Sequence, residues 1–132
     1  MRPLVLLADQ DDDLRHTCAE YLRAHGLRVE EAANAAQALE KARSLAPTVL
    51  VIDMSLARAG GAEALRLLEP DEANRRTVIA LSADDSEENR RNAQRAASCT
   101  FMVKTRLPER LLSAVRAGLG DYPSADPDTG AV

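Results

Sequence analysis

Val49-Leu50-Val51-Ile52-Asp53 is the stretch on which the fold turns. Four aliphatic residues in a row leave no polar side to face water, so the segment reads as a strand buried on both faces. Such strands belong to parallel sheets covered by helices above and below. Similar apolar runs lie on either side in the chain: Leu4-Val5-Leu6-Leu7-Ala8, Val78-Ile79-Ala80-Leu81 and Phe101-Met102-Val103. Leu27-Arg28-Val29-Glu30 alternates with period two and reads as a half-exposed edge strand.

Helical patterns fill the intervals. Leu14, Cys18, Tyr21 and Leu22 share one face of a first helix that should stop at His25-Gly26, where glycine takes the left-handed cap. Asn34, with Gln37 three residues on, resembles a capping box for a second helix. Its apolar face is Ala35, Ala38, Leu39, Ala42 and Ala46, and Pro47 ends it. Gly60-Gly61 breaks the chain before a short helix carrying Ala62, Leu65 and Leu68. Ser86 opens a strongly polar helix over 87–97, whose apolar face is Ala93, Ala96 and Ala97. Pro108 suits the first turn of a last helix with Leu107, Leu111, Leu112, Val115 and Leu119 on its core side. Strands alternating with helices imply an α/β doubly wound sandwich of three layers around a five-stranded parallel sheet. Residues 1–119 form the domain, and 120–132, rich in Pro, Asp and Gly, are expected to be a flexible tail or a linker stub.

Composition narrows the function. The chain has 132 residues, the size of one domain, and buries enough surface to fold without disulfides or structural metal. The net charge of −4 disfavours phosphate backbones and anionic membranes. Phe101, Tyr21 and Tyr122 are the only Phe, Tyr or Trp rings, too few for a base-stacking surface. Cys18 and Cys99 have no metal-ligand spacing and are expected to be free buried thiols of a cytoplasmic protein. The five-residue apolar run at Leu4–Ala8 ends in Asp9, which suits neither a signal peptide nor a membrane span.

Ligands of open α/β sheets bind beyond the carboxyl ends of the strands. The first run ends in Asp9, the third in Asp53, the fourth in Ser82 and the fifth in Lys104. Any one of these alone is an ordinary solvated strand end. Together they deliver two carboxylates, a hydroxyl and an ammonium to one edge. Two carboxylates make a hard oxygen site for Mg²⁺. Lys104 can neutralise a transferring phosphoryl group while Ser82 donates to it, and one carboxylate can be the nucleophile of an acyl phosphate.

The segments around these residues, LVLLADQDDDLR, PTVLVIDMSLARAGG, VIALSAD and TFMVKT, resemble the signature segments of response-regulator receiver domains, in order and spacing, over about residues 3–119. The resemblance implies strand order 2-1-3-4-5 and a histidine kinase or phosphotransfer protein as phosphoryl donor. It implies Asp53 as phosphoacceptor, Asp9 in the acidic metal site, and the backbone carbonyl of Ser55 as a further ligand of Mg²⁺. Ser82 matches the hydroxyl residue that moves toward the phosphate, Lys104 the phosphate-contacting lysine, and Phe101 the aromatic rotamer switch. Ser55 and Asp84 match the two variable positions that tune self-dephosphorylation. The family's partner face would comprise helix 87–97, strand 99–103 and helix 108–118. No enzymatic activity is implied beyond self-catalysed phosphoryl transfer and autodephosphorylation.

Three departures stand out. Gln10 occupies the place of a second metal-binding acid, and an amide oxygen brings no charge. One charge pair at ~4 Å and an effective dielectric near 20 is worth up to ~4 kcal/mol, so weakened metal binding is expected. Asp11 could substitute, or could simply belong, with Asp12 and Asp13, to a helix N-terminus that favours acids. Thr105 replaces the usual proline after the lysine, which leaves the isomer of the Lys104–Thr105 bond open. The loop after Asp53 reads Leu-Ala-Arg-Ala-Gly-Gly, without the usual proline and second acid, with an effect expected on loop stiffness. Gln10 and Thr105 keep a second reading in play, a pseudo-receiver that signals without phosphate. A haloacid dehalogenase-like phosphatase would carry an acid at Ser55 and a cap insertion. A His-containing phosphotransfer module would be a helical bundle, so His16 reads as an exposed residue of the first helix. The group Arg90, Arg91 and Arg95 reads as a solvated helix face.

Overall fold

The computed structural model describes residues 3–69, 76–83 and 99–120. In chain order these form β1 (Leu4–Ala8), α1 (Asp12–Ala24), β2 (Arg28–Ala32), α2 (Ala35–Leu45), β3 (Val49–Asp53), α3 (Met54–Ala59) and α4 (Gly61–Leu65). A 3-10 turn (Arg66–Leu68), β4 (Thr77–Ser82), β5 (Cys99–Val103), a second 3-10 turn (Lys104–Arg106) and α5 (Glu109–Gly118) follow. The sheet runs β2-β1-β3-β4-β5, and every neighbouring pair is parallel. The doubly wound order expected from the sequence is the observed one.

Alternation along the strands builds two cores, one on each face of the sheet. Leu6, Ala8, Leu50, Ile52, Val78 and Ala80 pack with Ala38 and Ala42 of α2, with Met54, Leu56 and Ala57 of α3, and with Leu67 and Leu68. Val5, Leu7, Val49, Val51, Ile79 and Leu81 pack on the other face with Cys18, Ala19 and Leu22 of α1 and Leu111, Leu112 and Val115 of α5. All of β3 is buried, as an unbroken apolar strand requires.

The helix ends follow their sequence signals. The α1 helix closes in a Schellman motif: Leu27 N donates to Leu22 O at 3.2 Å and Gly26 N to Arg23 O at 3.0 Å, with Gly26 at φ +84°. At the start of α2, Gln37 N donates to Asn34 Oδ1 (2.9 Å), and Gln37 Oε1 accepts from Ala33 N (2.8 Å). The box is therefore closed one residue upstream of the usual cap.

Several boundaries differ from expectation. Two extra residues, Glu31 and Ala32, belong to β2, because Ala32 O accepts from Asp9 N and extends the ladder. Ala46 lies exposed just past α2 in a left-handed conformation (φ 45°) and adds nothing to its apolar face. The helix after Gly60 buries Ala64, Leu67 and Leu68 rather than Ala62 and Leu65. The segment after Asp53, expected to be a loop, is already helical from Met54. Pro108 caps α5 from outside, its carbonyl accepting from Leu112 N at 3.1 Å. The polar helix 87–97, with Ala93, Arg90, Arg91 and Arg95, and the tail 121–132 lie outside the described residues, as do Asp84 and the side chain of Cys99. Among the described residues no helix is long and apolar enough to cross a membrane.

Candidate functional site

The parallel sheet brings the strand ends together. Ala8 pairs with Ile52, so Asp9 and Asp53 leave neighbouring strands side by side. Asp53 itself pairs with Leu81, which puts Ser82 one step further along the same rim. Ser82 pairs with Val103, and Lys104 follows at once. Lys104 therefore starts beyond β4, yet its long side chain reaches back across the rim. Its Nζ lies 2.8 Å from Asp9 Oδ2 and 3.2 Å from Asp53 Oδ1. One ammonium thus bridges two buried carboxylates, leaving a net charge of −1 among the three groups. Asp9, Asp53 and Ser82 are all buried.

Burial works against the Lys104 charge and pulls its pKa down. Contact with Asp9 and the charge of Asp53 outweigh it, and the pKa stands above the ordinary lysine value. Burial likewise pushes the nearby Cys18 thiol up to about 11, with the Asp9 charge adding and Lys104 subtracting. Cys18 is free and buried, as read from the sequence.

The remaining oxygens of the two acids have different fates. Asp9 Oδ1 accepts from Asp11 N at 2.9 Å. Asp9 Oδ2 has no donor aligned on it for a hydrogen bond, although the ammonium is close; it is a buried carboxylate oxygen held by an ion pair alone. Asp53 Oδ2 accepts from Leu56 N at 3.2 Å, so Asp53 is the N-cap of α3.

A divalent cation finds part of its ligand set here. The Asp9 Oδ2 atom and the Asp53 carboxylate are hard oxygens of the right kind. Of the other two candidates, the Ser55 carbonyl is withheld. Gln10 lies exposed on the β1–α1 connection. Ser55 is inside α3, where a carbonyl is engaged by the N–H four residues on, here that of Ala59. Asp11 does not substitute, because its side chain caps α1 by accepting from Leu14 N at 3.1 Å. Among the described residues no group of three or more His, Cys, Asp or Glu side chains is poised around a metal position.

Phe101 is half-buried at the centre of β5, beside Ala80, and packs on the core face shared with α3. The Lys104–Thr105 peptide is trans; among the described residues the cis bond is Leu107–Pro108. His16 is exposed on α1 and meets Glu31 Oε1 at 2.8 Å.

Arg15 is the site residue that sequence reading missed. It is a buried guanidinium at 6% exposure, donating to Asp9 O at 2.8 Å and pairing with Asp12 (2.8 Å) and Glu31 (3.1 Å). The β1–α1 connection is folded around it. Its position was a signal: Arg15 precedes Cys18, Ala19 and Leu22 by three, four and seven residues, on the apolar stripe of α1.

Comparison with known proteins agrees with this geometry. The sequence matches the response regulator receiver domain family over residues 5–116. The regulatory protein VirG of Agrobacterium tumefaciens is 30% identical over 121 residues, covering 91% of this chain and 45% of VirG. The transcriptional regulatory protein PrrA of Mycobacterium leprae is 30% identical over 118 residues, covering 87% of this chain and 49% of PrrA. The chain therefore spans about half the length of these relatives. Protein PilG of Pseudomonas aeruginosa is 25% identical and is matched over 91% of its length and 92% of this chain. Among solved structures, the receiver domain of the Francisella response regulator 1452 superposes with a TM-score of 0.77 at 25% identity, covering 90% of this chain and 98% of that one. With the family matched over residues 5–116 and the strand order β2-β1-β3-β4-β5 in place, this chain belongs to the response regulator receiver domains of two-component signalling.

Proposed function

We propose that Asp53 accepts a phosphoryl group from a sensor histidine kinase or a phosphotransfer protein. The observation that carries this is the placement of Lys104 Nζ within 3.2 Å of Asp53 and 2.8 Å of Asp9. An anion growing on Asp53 would meet the ammonium at once, and charge neutralisation with positioning is most of what phosphoryl transfer asks of a protein. In the step itself, an Asp53 carboxylate oxygen forms a bond to phosphorus as the phosphorus–nitrogen bond of the donor histidine breaks. The electron pair stays with the imidazole. Lys104 holds the incoming oxygens, Leu56 N–H keeps the other carboxylate oxygen oriented, and the Ser82 hydroxyl on the adjacent strand end donates to the new phosphate. Asp9 and Asp53 would hold Mg²⁺, which supplies further charge neutralisation when bound. No other enzymatic activity is proposed, and the setting is the cytoplasm.

The phosphorylated site would shift an existing equilibrium on the partner face that the family resemblance assigns to residues 87–97, 99–103 and 108–118, where an output protein would bind. Incubation with Mg²⁺ and a small phosphodonor should add one phosphate by mass, absent in Asp53→Asn. A wild-type protein that never gains the adduct would sink the reading.

One observation favours the alternative, a pseudo-receiver that binds partners without phosphate: both Asp53 oxygens are already engaged, by Lys104 and by Leu56 N–H. Mg²⁺ binding that disappears in Asp53→Ala would exclude it.

A further inference from the structure

Asp53 is followed by helix with no residue between, since α3 starts at Met54. The local reason is Ala57. Its N–H is available to close the first turn onto the carbonyl of Asp53, four residues back, whereas a proline there would have no N–H and would clash with that carbonyl. Asp53 adds its own side chain as cap, through Oδ2 to Leu56 N at 3.2 Å. The same turn takes the Ser55 carbonyl into the helix ladder. The far end of α3 is pinned: a Cβ at Gly60 would come within 2.5 Å of both Ala35 and Ala64, so α2 and α4 close on it. Any opening must therefore start at the Asp53 end. Ser55 is exposed between buried Met54 and Leu56, so a turn of the Ser55–Leu56 peptide would free the carbonyl with both neighbours still in the core.

Beside this turn lies the buried Asp9 Oδ2 without an aligned hydrogen-bond donor. The rim thus holds a buried carboxylate oxygen kept by the Lys104 ammonium alone, which a divalent cation could share, while the backbone ligand next to Asp53 is withheld. We propose that the first turn of α3 gates the cation site. Closed, it keeps the Ser55 carbonyl and Asp53 Oδ2 in helix hydrogen bonds; open, it hands both to the metal, and Ala57 is the positioning residue that keeps it closed. The inference rests on the reading above that Asp9 and Asp53 hold a divalent cation. Apparent metal affinity is then the affinity of the open form multiplied by the fraction of molecules open.

The test is titration of the full chain with Mg²⁺, followed by amide NMR shifts of the rim and by calorimetry, for wild type, Ala57→Pro and Ala59→Gly. Ala57→Pro moves the helix start past Ser55 and should tighten Mg²⁺ binding on the order of tenfold. Ala59 is exposed, so Ala59→Gly loosens the helix without touching the core and should tighten binding up to about fivefold. Adding Asp53→Ala should abolish binding in every background. A purely structural role for α3 would lower the melting temperature of the variants and leave the Mg²⁺ affinity unmoved. Equal affinity in all three proteins, or weaker binding in the variants, overturns the gate while Mg²⁺ binding by the wild type keeps the underlying reading. No binding in any of them, at any Mg²⁺ concentration, overturns both. If Ala57→Pro fails to fold, Ala59→Gly alone decides.

Discussion

Two side chains carry most of the site's order. Arg15 satisfies the Asp9 carbonyl from a buried position and pairs with Asp12 and Glu31. Replacing it with alanine strands a buried carbonyl and leaves Glu31, 18% exposed, short of its inner partner. Arg15→Ala should cost about 2–3 kcal/mol in urea unfolding, and Arg15→Lys should recover little, because a compact ammonium cannot reproduce the spread of the guanidinium, whose Nε meets Glu31 while Nη1 meets Asp9 O and Asp12. A loss within experimental error would show that the clamp is ornamental. Lys104→Met leaves two buried acids facing each other with no counterion. Its stability at neutral pH should fall by about 1–3 kcal/mol in urea unfolding, and adding Asp53→Asn to remove one of the two like charges should recover part of that loss. A double variant less stable than Lys104→Met alone would contradict the pairing. Lys104 was legible as a strand-end residue; Arg15 was marked only by its place on the apolar stripe, and a charge there looks like an interruption until burial shows what it holds.

At the level of elements, capping signals translated directly into geometry. Asn34 and Gln37 are within a few residues of one another, so their bonds depend on local backbone alone. Asn34→Ala should cost about 1 kcal/mol, seen as a lowered thermal midpoint, with an unchanged midpoint counting against the box. The α3 helix was not legible. Its six residues, Met54–Ala59, are too few for a periodic pattern, and the pair Gly60-Gly61 drew attention to the wrong end. What stabilises so short a helix is not propensity but the burial of Met54, Leu56 and Ala57 against the sheet, together with the Asp53 cap. The same limit misplaced the buried face of the next turn, where Ala64, Leu67 and Leu68 face inward.

For the whole molecule, one of the two cores and the charged rim are coupled through α1, which carries Cys18 into that core and Arg15 to the rim. This coupling has a pH signature. Cys18 holds its proton up to about 11 in the fold against an ordinary value of 9.0, and the Lys104 pKa is also raised. Both groups bind protons more firmly folded than unfolded, so stability is full below their unfolded values and is lost as pH rises through the folded ones. The urea midpoint should hold steady from neutral pH to about 9 and decline beyond it, with Cys18→Ala flattening the first part of that fall. A decline beginning well below pH 9 would contradict the assignment. Sequence alone determined the strands, their parallel pairing and the strand-end residues, because apolar runs and connection handedness are properties of a chain read in order. Only the tertiary structure decided that one ammonium spans both carboxylates, that Arg15 is buried against the backbone carbonyl of Asp9, and that Asp53 caps its own helix. Those facts depend on side chains from distant segments sharing one desolvated space, and no pattern along the chain specifies where such a space lies.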